Sequence, residues 1–251
     1  MRRLGSVRTV FELGLVAAVV LLALRMAPQG MTVPESWGHS VVYRGPTNEK
    51  TVALTFDDGP DPRFTPKILN ELDKYHVRAT FFMIGKEMEA HPEIVKDIVK
   101  RGHVIGNHTY THPHDIKADT ASQVRQELRL CERVIERLTG KSAHLFRPPR
   151  GLIDGTVFAA AEEEGYTTVL WTVCADHHDA PTPDMMAKRV LKHNGPGAII
   201  LAHDGTYPCR WKDVAATPKI IEELTKRGYK FVTVPEMLKE RINATRAGQK
   251  D

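Results

Sequence analysis

Two short segments carry residue types suited to hydrolysis at a metal ion. They are Asp57-Asp58 within T-F-D-D-G-P (Thr55 to Pro60), and His108 and His112 within H-T-Y-T-H. The carboxylates directly follow the apolar run Val52-Ala53-Leu54. That makes them poor core residues, because an unpaired buried carboxylate is expensive. The spacing of four between the His residues predicts both imidazoles on one side of a helical turn. Two His and one carboxylate make three ligands and leave a position open for water, which is the catalytic rather than the structural arrangement.

The elements that must position these groups are readable from Lys50 onward, where short apolar runs alternate with helical patterns. Strands are predicted at Thr51–Phe56, Ala79–Ile84, His103–Gly106, Leu145–Arg147, Thr168–Val173, Ala198–Ala202 and Lys230–Thr233. Helices are predicted at Thr65–His76, Pro92–Arg101, Ala121–Thr139, Asp154–Gly165, Pro183–His193 and Val214–Gly228. Gly102, Gly140, Gly165 and Gly228 stand where C-caps are expected. In Ala121–Thr139, the residues Val124, Leu128, Cys131, Ile135 and Leu138 form one apolar stripe, read as core. Such alternation implies an α/β fold with a parallel sheet, and about seven repeats suffice to curl it toward a barrel. Asp57, Asp58, Arg147, the acidic stretch after Val173, and His203 all fall at or just past strand C-termini, and His108 and His112 follow the His103–Gly106 strand. Parallel α/β folds build their sites on that rim.

The chain has 251 residues, a formal charge of +4 and three Cys. Arg2, Arg3, Arg8 and Arg25 against Glu12 account for most of that charge, so the remainder offers no footprint for nucleic acid. Residues 1–30 have a basic start, an apolar run from Leu13 to Leu24 and a polar exit. That is the layout of a signal peptide or, uncleaved, of an N-terminal membrane anchor. Either role puts the rest of the chain outside the cytoplasm, secreted or anchored to the cell membrane. Arg25-Met26-Ala27 is a poor cleavage site, and the uninterrupted run is short for a full span. Residues 31–49 read as a linker with an accessory strand around Val41–Tyr43, and 241–251 as a polar tail. Three Cys are too few for a disulfide framework. Cys174 and Cys209 each follow a strand, and an exported chain permits a bond between them, with two separate thiols as the alternative.

The ordered set T-F-D-D-G-P, H-T-Y-T-H, R-P-P-R-G (from Arg147) and L-A-H (from Leu201) closely resembles the NodB-type polysaccharide deacetylases, carbohydrate esterase family 4. The resemblance runs from about Lys50 to Leu238. It implies that 50–240 form a distorted, partly open (β/α) barrel. It also implies one divalent metal ion, zinc or alternatively cobalt or nickel, held by Asp58, His108 and His112. On the same resemblance Asp57 is the general base, Arg147 orients it, and His203 is the general acid. The backbone N–H of Arg150 would help bind the oxyanion, and Leu201 would line the pocket for the acetyl methyl. The expected substrate is a polysaccharide, one containing N-acetylglucosamine, and the expected state is a monomer.

Two departures from the family pattern bear on this reading. Arg150 stands where the family has Tyr. The fourth motif, W-x-x-D-x-x-D-W in the family, reads W-T-V-C-A-D-H-H-D-A from Trp171 to Ala180. A shift by two residues recovers its carboxylates as Asp176 and Asp179. Asp179 is then the preferred partner for His203 and Asp176 its rival. His177 and His178 read as exposed loop residues, and Asp204 as a cap on the turn at Gly205. An altered fourth motif could also suit O-acetyl esters or a small amide or imide. An inactive sugar-binding wall protein is the reading from another class, and the retained base, ligands, Arg and acid argue against it.

Overall fold

A computed structural model describes residues 40–239. The expectations for residues 1–30, for the linker residues 31–39 and for 241–251 therefore lie outside the described residues, whereas the accessory strand expected around Val41–Tyr43 is present as Val41–Val42. Among the described residues nine strands form one sheet: β1 (Val41–Val42), β2 (Thr51–Asp57), β3 (Thr80–Met83), β4 (Val104–Asn107), β5 (Leu145–Phe146), β6 (Thr167–Val169), β7 (Val173–Cys174), β8 (Ala198–His203) and β9 (Lys230–Phe231). Eight run in the order β1-β6-β5-β4-β3-β2-β8-β7, and β9 pairs with the start of β2. Every pairing of these strands is parallel, and the sheet curls into a partly open barrel.

Among the described residues, these helices pack outside: α1 (Thr65–Lys74), α2 (Gly85–Ala90), α3 (Pro92–Lys100), α4 (Ala121–Thr139), α5 (Gly155–Glu163), α6 (Pro183–His193) and α7 (Trp211–Lys226), and 234–239 are helical as well. α4 shows how local sequence sets an element. Thr120 and Gln123 form a capping box at its start, and Gly140 ends it in the left-handed region at φ 69°. Its buried face is Val124, Leu128, Cys131, Val134 and Ile135.

Alternation along the strands then decides which side chains enter the barrel. Val52, Leu54 and Phe56 of β2, Phe81 and Met83 of β3, and Ala198, Ile200 and Ala202 of β8 pack in the large cluster shared with the helices. Ala53, Phe82, Leu145 and Ile199 belong to a second cluster on the opposite face. Continuing that inward face to the C-terminal rim reaches Asp57 on β2, Arg147 after β5, and Leu201 and His203 on β8.

The elements differ from expectation in three places. The run Thr168–Val173 divides into β6 and β7, which lie on opposite sides of the opening. Leu170 N donates to Val42 O on one side, and Thr172 N donates to Ile199 O on the other. One extended segment thus spans the gap between the two ends of the sheet. The helix α2 was not anticipated, since it is six residues long, has no side-chain cap and buries only Gly85 and Met88. α7 begins at Trp211 rather than Val214, because a 3-10 turn at Pro208–Arg210 leads directly into it.

Candidate active site

Asp58 lies one residue past β2, in the left-handed region at φ 76°. Two close approaches hold the loop there. A Cβ on Gly205 would fall 2.1 Å from the Asp58 carbonyl oxygen, and one on Gly59 would fall 2.3 Å from Asp204 Oδ2. The loops after β2 and β8 therefore interlock through two glycines. Asp204 is buried beneath them, where its Oδ2 accepts from Thr65 Oγ1 at 2.6 Å and its backbone N–H donates to Asp57 O at 3.0 Å. Burial pushes the Asp204 carboxyl up to about 7.

The H-T-Y-T-H segment brings its imidazoles together without a helix. Thr109 and His112 both have positive φ, 66° and 57°, and the segment is an irregular loop. Its backbone donors are satisfied by side chains from elsewhere. Asn107 Oδ1 accepts from Thr109 N at 2.9 Å, and Glu127 Oε2 on α4 accepts from Tyr110 N and Thr111 N at 2.9 and 2.7 Å. Glu127 Oε1 also accepts from Thr111 Oγ1 at 2.9 Å. With these groups partnered, the segment has no need of intrahelical bonds.

His108 Nδ1 lies 2.7 Å from the Arg147 carbonyl oxygen, which can only accept, so Nδ1 carries the proton and the ring turns Nε2 toward Asp58. Asp58 Oδ1 lies 3.4 Å from His108 Nε2 and 3.4 Å from His112 Nε2. The three ligand atoms lie within 4.8 Å of one another. Burial alone would disfavour ionising Asp58, but the neighbouring His108, then His203 and His112, outweigh it and hold the carboxyl below the usual range. Burial, then the neighbouring His108, lowers His112 and so favours its neutral, ligating form. One hard and two imidazole donors on a single centre, with the first His fixed by a carbonyl, fit a divalent metal such as zinc.

Asp57 is buried against Arg147, whose Nη1 donates to its Oδ1 at 2.6 Å. The guanidinium is itself fully buried and spends its other donors on Val169 O, Thr55 Oγ1 and Leu170 O at 3.0, 2.9 and 3.1 Å. It lies 4.1 Å over the Phe82 ring. Breaking such a buried pair by removing one partner costs about 3–5 kcal/mol.

His203 is paired with Asp57 in the register of β2 and β8, and its Nδ1 lies 3.0 Å from Asp176. Burial acts to lower the imidazole, but the hydrogen bond and charge of Asp176 win and raise it to about 9. The preferred partner Asp179 is not there. It is 53% exposed and bonds His177 Nδ1 at 3.0 Å and Arg189. Strand register explains the correction. Cys174 pairs with Leu201, so two residues further on Asp176 comes level with His203. Asp179 lies beyond a turn closed by Ala180 N to His177 O at 2.8 Å.

The remaining expected residues also have definite places. Leu201 is buried on β8 beside Thr55. Arg150 is exposed in a 3-10 turn at φ 57°, with its guanidinium on His114 O. Cys174 and Cys209 are separate thiols, and Cys174 Sγ donates to Asp176 Oδ1 at 3.1 Å. Asn107, Glu127, Asp213 and Arg210 went unnoticed in the sequence. Asp213 Oδ1 accepts from His203 N at 3.1 Å, and burial, followed by the charge of Asp176, raises its carboxyl to about 7. Arg210 bonds Asp176 and lies 3.4 Å from Asp58 Oδ2.

Residues 44–169 match the polysaccharide deacetylase family, and the chain belongs to it, as a carbohydrate esterase family 4 hydrolase of N-acetyl amide bonds. It is 43% identical over 203 residues to a peptidoglycan-N-acetylglucosamine deacetylase of Bacillus cereus, covering 79% of this chain and 93% of that one. It is 34% identical to the peptidoglycan-N-acetylmuramic acid deacetylase PdaA of Bacillus subtilis, over 81% of this chain and 77% of that one. The crystal structure of the Bc1960 peptidoglycan N-acetylglucosamine deacetylase, bound to an N-oxidanyl-benzamide, is similar at a TM-score of 0.78. It shares 38% identity and covers 82% of this chain and 97% of that chain.

Proposed function

We propose that this protein removes N-acetyl groups from the glycan strands of the bacterial cell wall, at N-acetylglucosamine units, outside the cytoplasm. The observation that carries the reading is a pair of separately held proton-transfer groups flanking one ligand set. Asp57 rests on Arg147 and His203 on Asp176, with Asp58, His108 and His112 beside them. The substrate class follows from the relatives named as peptidoglycan deacetylases. Residues 1–30 would supply export, as a cleaved signal or as a membrane anchor.

An acetamide is a poor electrophile, and a divalent ion held by Asp58, His108 and His112, most simply zinc, would polarise its carbonyl and acidify a water. Asp57 Oδ2 then takes the proton of the attacking water, while Arg147 Nη1 holds Oδ1 and orients the carboxylate. The backbone N–H of Arg150 donates to the oxyanion as charge gathers on it. Leu201 gives the acetyl methyl an apolar contact. His203, protonated and with Nδ1 held by Asp176, gives a proton to the departing sugar amine.

The test is acetate release by the exported part, stripped of metal and reloaded with zinc, cobalt or nickel. The substrates are peptidoglycan, N-acetylglucosamine oligomers, acetylated xylan and a small aryl acetate. Metal-dependent release from peptidoglycan or the oligomers is expected. Release from the esters alone would make the protein an O-acetyl esterase, and none from any substrate by the fully loaded protein would leave an amidase of small molecules or a sugar binder.

A further inference from the structure

We propose that Arg210 is a positioning residue for the general acid, clamping the Asp176–His203 pair to the carboxylate of Asp58. The inference rests on the role proposed above for His203. Arg210 enters from the 3-10 turn ahead of α7 and is 8% exposed. Its Nη1 donates to Asp176 Oδ2, its Nη2 lies 3.4 Å from Asp58 Oδ2, and its Nε donates to Gly205 O at 3.2 Å. The Tyr207 ring lies 5.4 Å from the guanidinium carbon.

Both carboxylates share the guanidinium with imidazoles of the site. Asp58 turns Oδ1 to the two imidazoles and Oδ2 to Arg210. Asp176 receives Cys174 on Oδ1 and Arg210 on Oδ2, and His203 Nδ1 lies 3.1 Å from Oδ1 and 3.0 Å from Oδ2. Each carboxylate thus gives one oxygen to the same planar fork while facing an imidazole of the site. A guanidinium fixes both distance and plane, which a point charge cannot do. The two carboxylates come from the ends of different strands, β2 and β7, and Arg210 spans them from a third element. Arg147 serves Asp57 on one side of the ligand set in the same manner as Arg210 serves Asp176 on the other. Without Arg210, Asp176 keeps only the weak thiol donor of Cys174 besides His203 itself, and the His203 ring loses the firmly fixed acceptor that sets its direction.

The experiment compares the zinc-loaded full chain with Arg210→Met, Arg210→Lys, Asp176→Asn and the double variant, using N-acetylglucosamine oligomers and measuring kcat, KM and bound zinc. In Arg210→Met we expect kcat to fall about 100-fold with KM within about three-fold, the pattern of a group needed after binding. Zinc should stay at its wild-type level, and millimolar guanidinium ion should restore kcat at least about ten-fold. Adding Arg210→Met to Asp176→Asn should cost less than about three-fold more, since both act through one carboxylate. A kcat within three-fold of wild type, a zinc loss that matches the loss of kcat, or a double variant as slow as the product of the singles would each overturn the inference. Should Arg210→Met not fold, Arg210→Lys decides, because a lysine keeps the charge without the fork. A loss of about ten-fold or more supports the clamp and an unchanged kcat refutes it. A wild-type protein with no turnover refutes the proposed function instead, and the two failures are thereby distinct.

Discussion

Asp57 and His203 are Cα partners across the parallel strands β2 and β8, so their side chains leave the same face of the sheet at the same height. Neither touches the other's anchor. Arg147 holds Asp57 from the end of β5, and Asp176 holds His203 from beyond the end of β7. Backbone register, which no side chain has to enforce, sets the spacing between the proposed base and acid.

Replacing Asp57 with Asn tests the base without emptying the ligand set. Asn keeps an oxygen for Arg147 Nη1 and its volume is almost unchanged. Bound zinc should therefore stay near the wild-type level while acetate release falls at least about 1,000-fold, the loss of a proton acceptor in the reacting geometry. Parallel loss of zinc, measured by elemental analysis, would show that Asp57 is a ligand.

Removing His108 should act differently. His108→Ala deletes a buried donor that also bonds the Arg147 carbonyl, so zinc and turnover should disappear together. The thermal midpoint of the variant should no longer rise on adding zinc, because a ligand that binds only the folded state stabilises it by mass action. An active, metal-free variant would remove metal chemistry from this protein.

Much of this site was legible in the sequence because strand ends and motif residues coincide. Val52-Ala53-Leu54 marks a buried strand, and alternation carries its inward face to Asp57. What was not legible depended on partners distant along the chain. His108 and His112 sit four apart, as on a helix, yet Glu127 and Asn107 bond the loop's backbone donors and keep it irregular. Asp176 and Asp179 both fitted the motif spacing. Only the pairing of Cys174 with Leu201 shows which one reaches His203. Arg210 matches no motif, and its role depends on where a turn before α7 delivers it.

The Asp176 assignment predicts a pH effect with a definite sign. With His203 in its proposed role as acid, activity should fall as pH rises through its pKa, raised to about 9 by Asp176. Asp176→Asn removes the charge that raises it, and the alkaline limb of kcat should move toward lower pH. Asp179→Asn should leave that limb in place, since Asp179 serves His177 and Arg189 at the surface. The same interaction contributes stability below pH 6.5, and that stability is lost as pH rises toward 9. A limb that moves with Asp179→Asn alone would restore the register expected from the motif.

Glu127 offers the sharpest test of how the proposed metal ligands are held. It touches neither His108 nor His112, yet it accepts from the two backbone N–H groups and the hydroxyl that lie between them. Glu127→Ala leaves those donors to water and frees a loop in which Thr109 and His112 sit at positive φ. Zinc affinity should fall about 10- to 100-fold, the usual cost of losing a group that orients ligands from behind. Turnover at saturating zinc should recover, because the ligands themselves remain. Competition with a chromogenic chelator reads the affinity directly. An unchanged affinity would show that Asn107, the Arg147 carbonyl and the packing of β4 suffice to place both imidazoles.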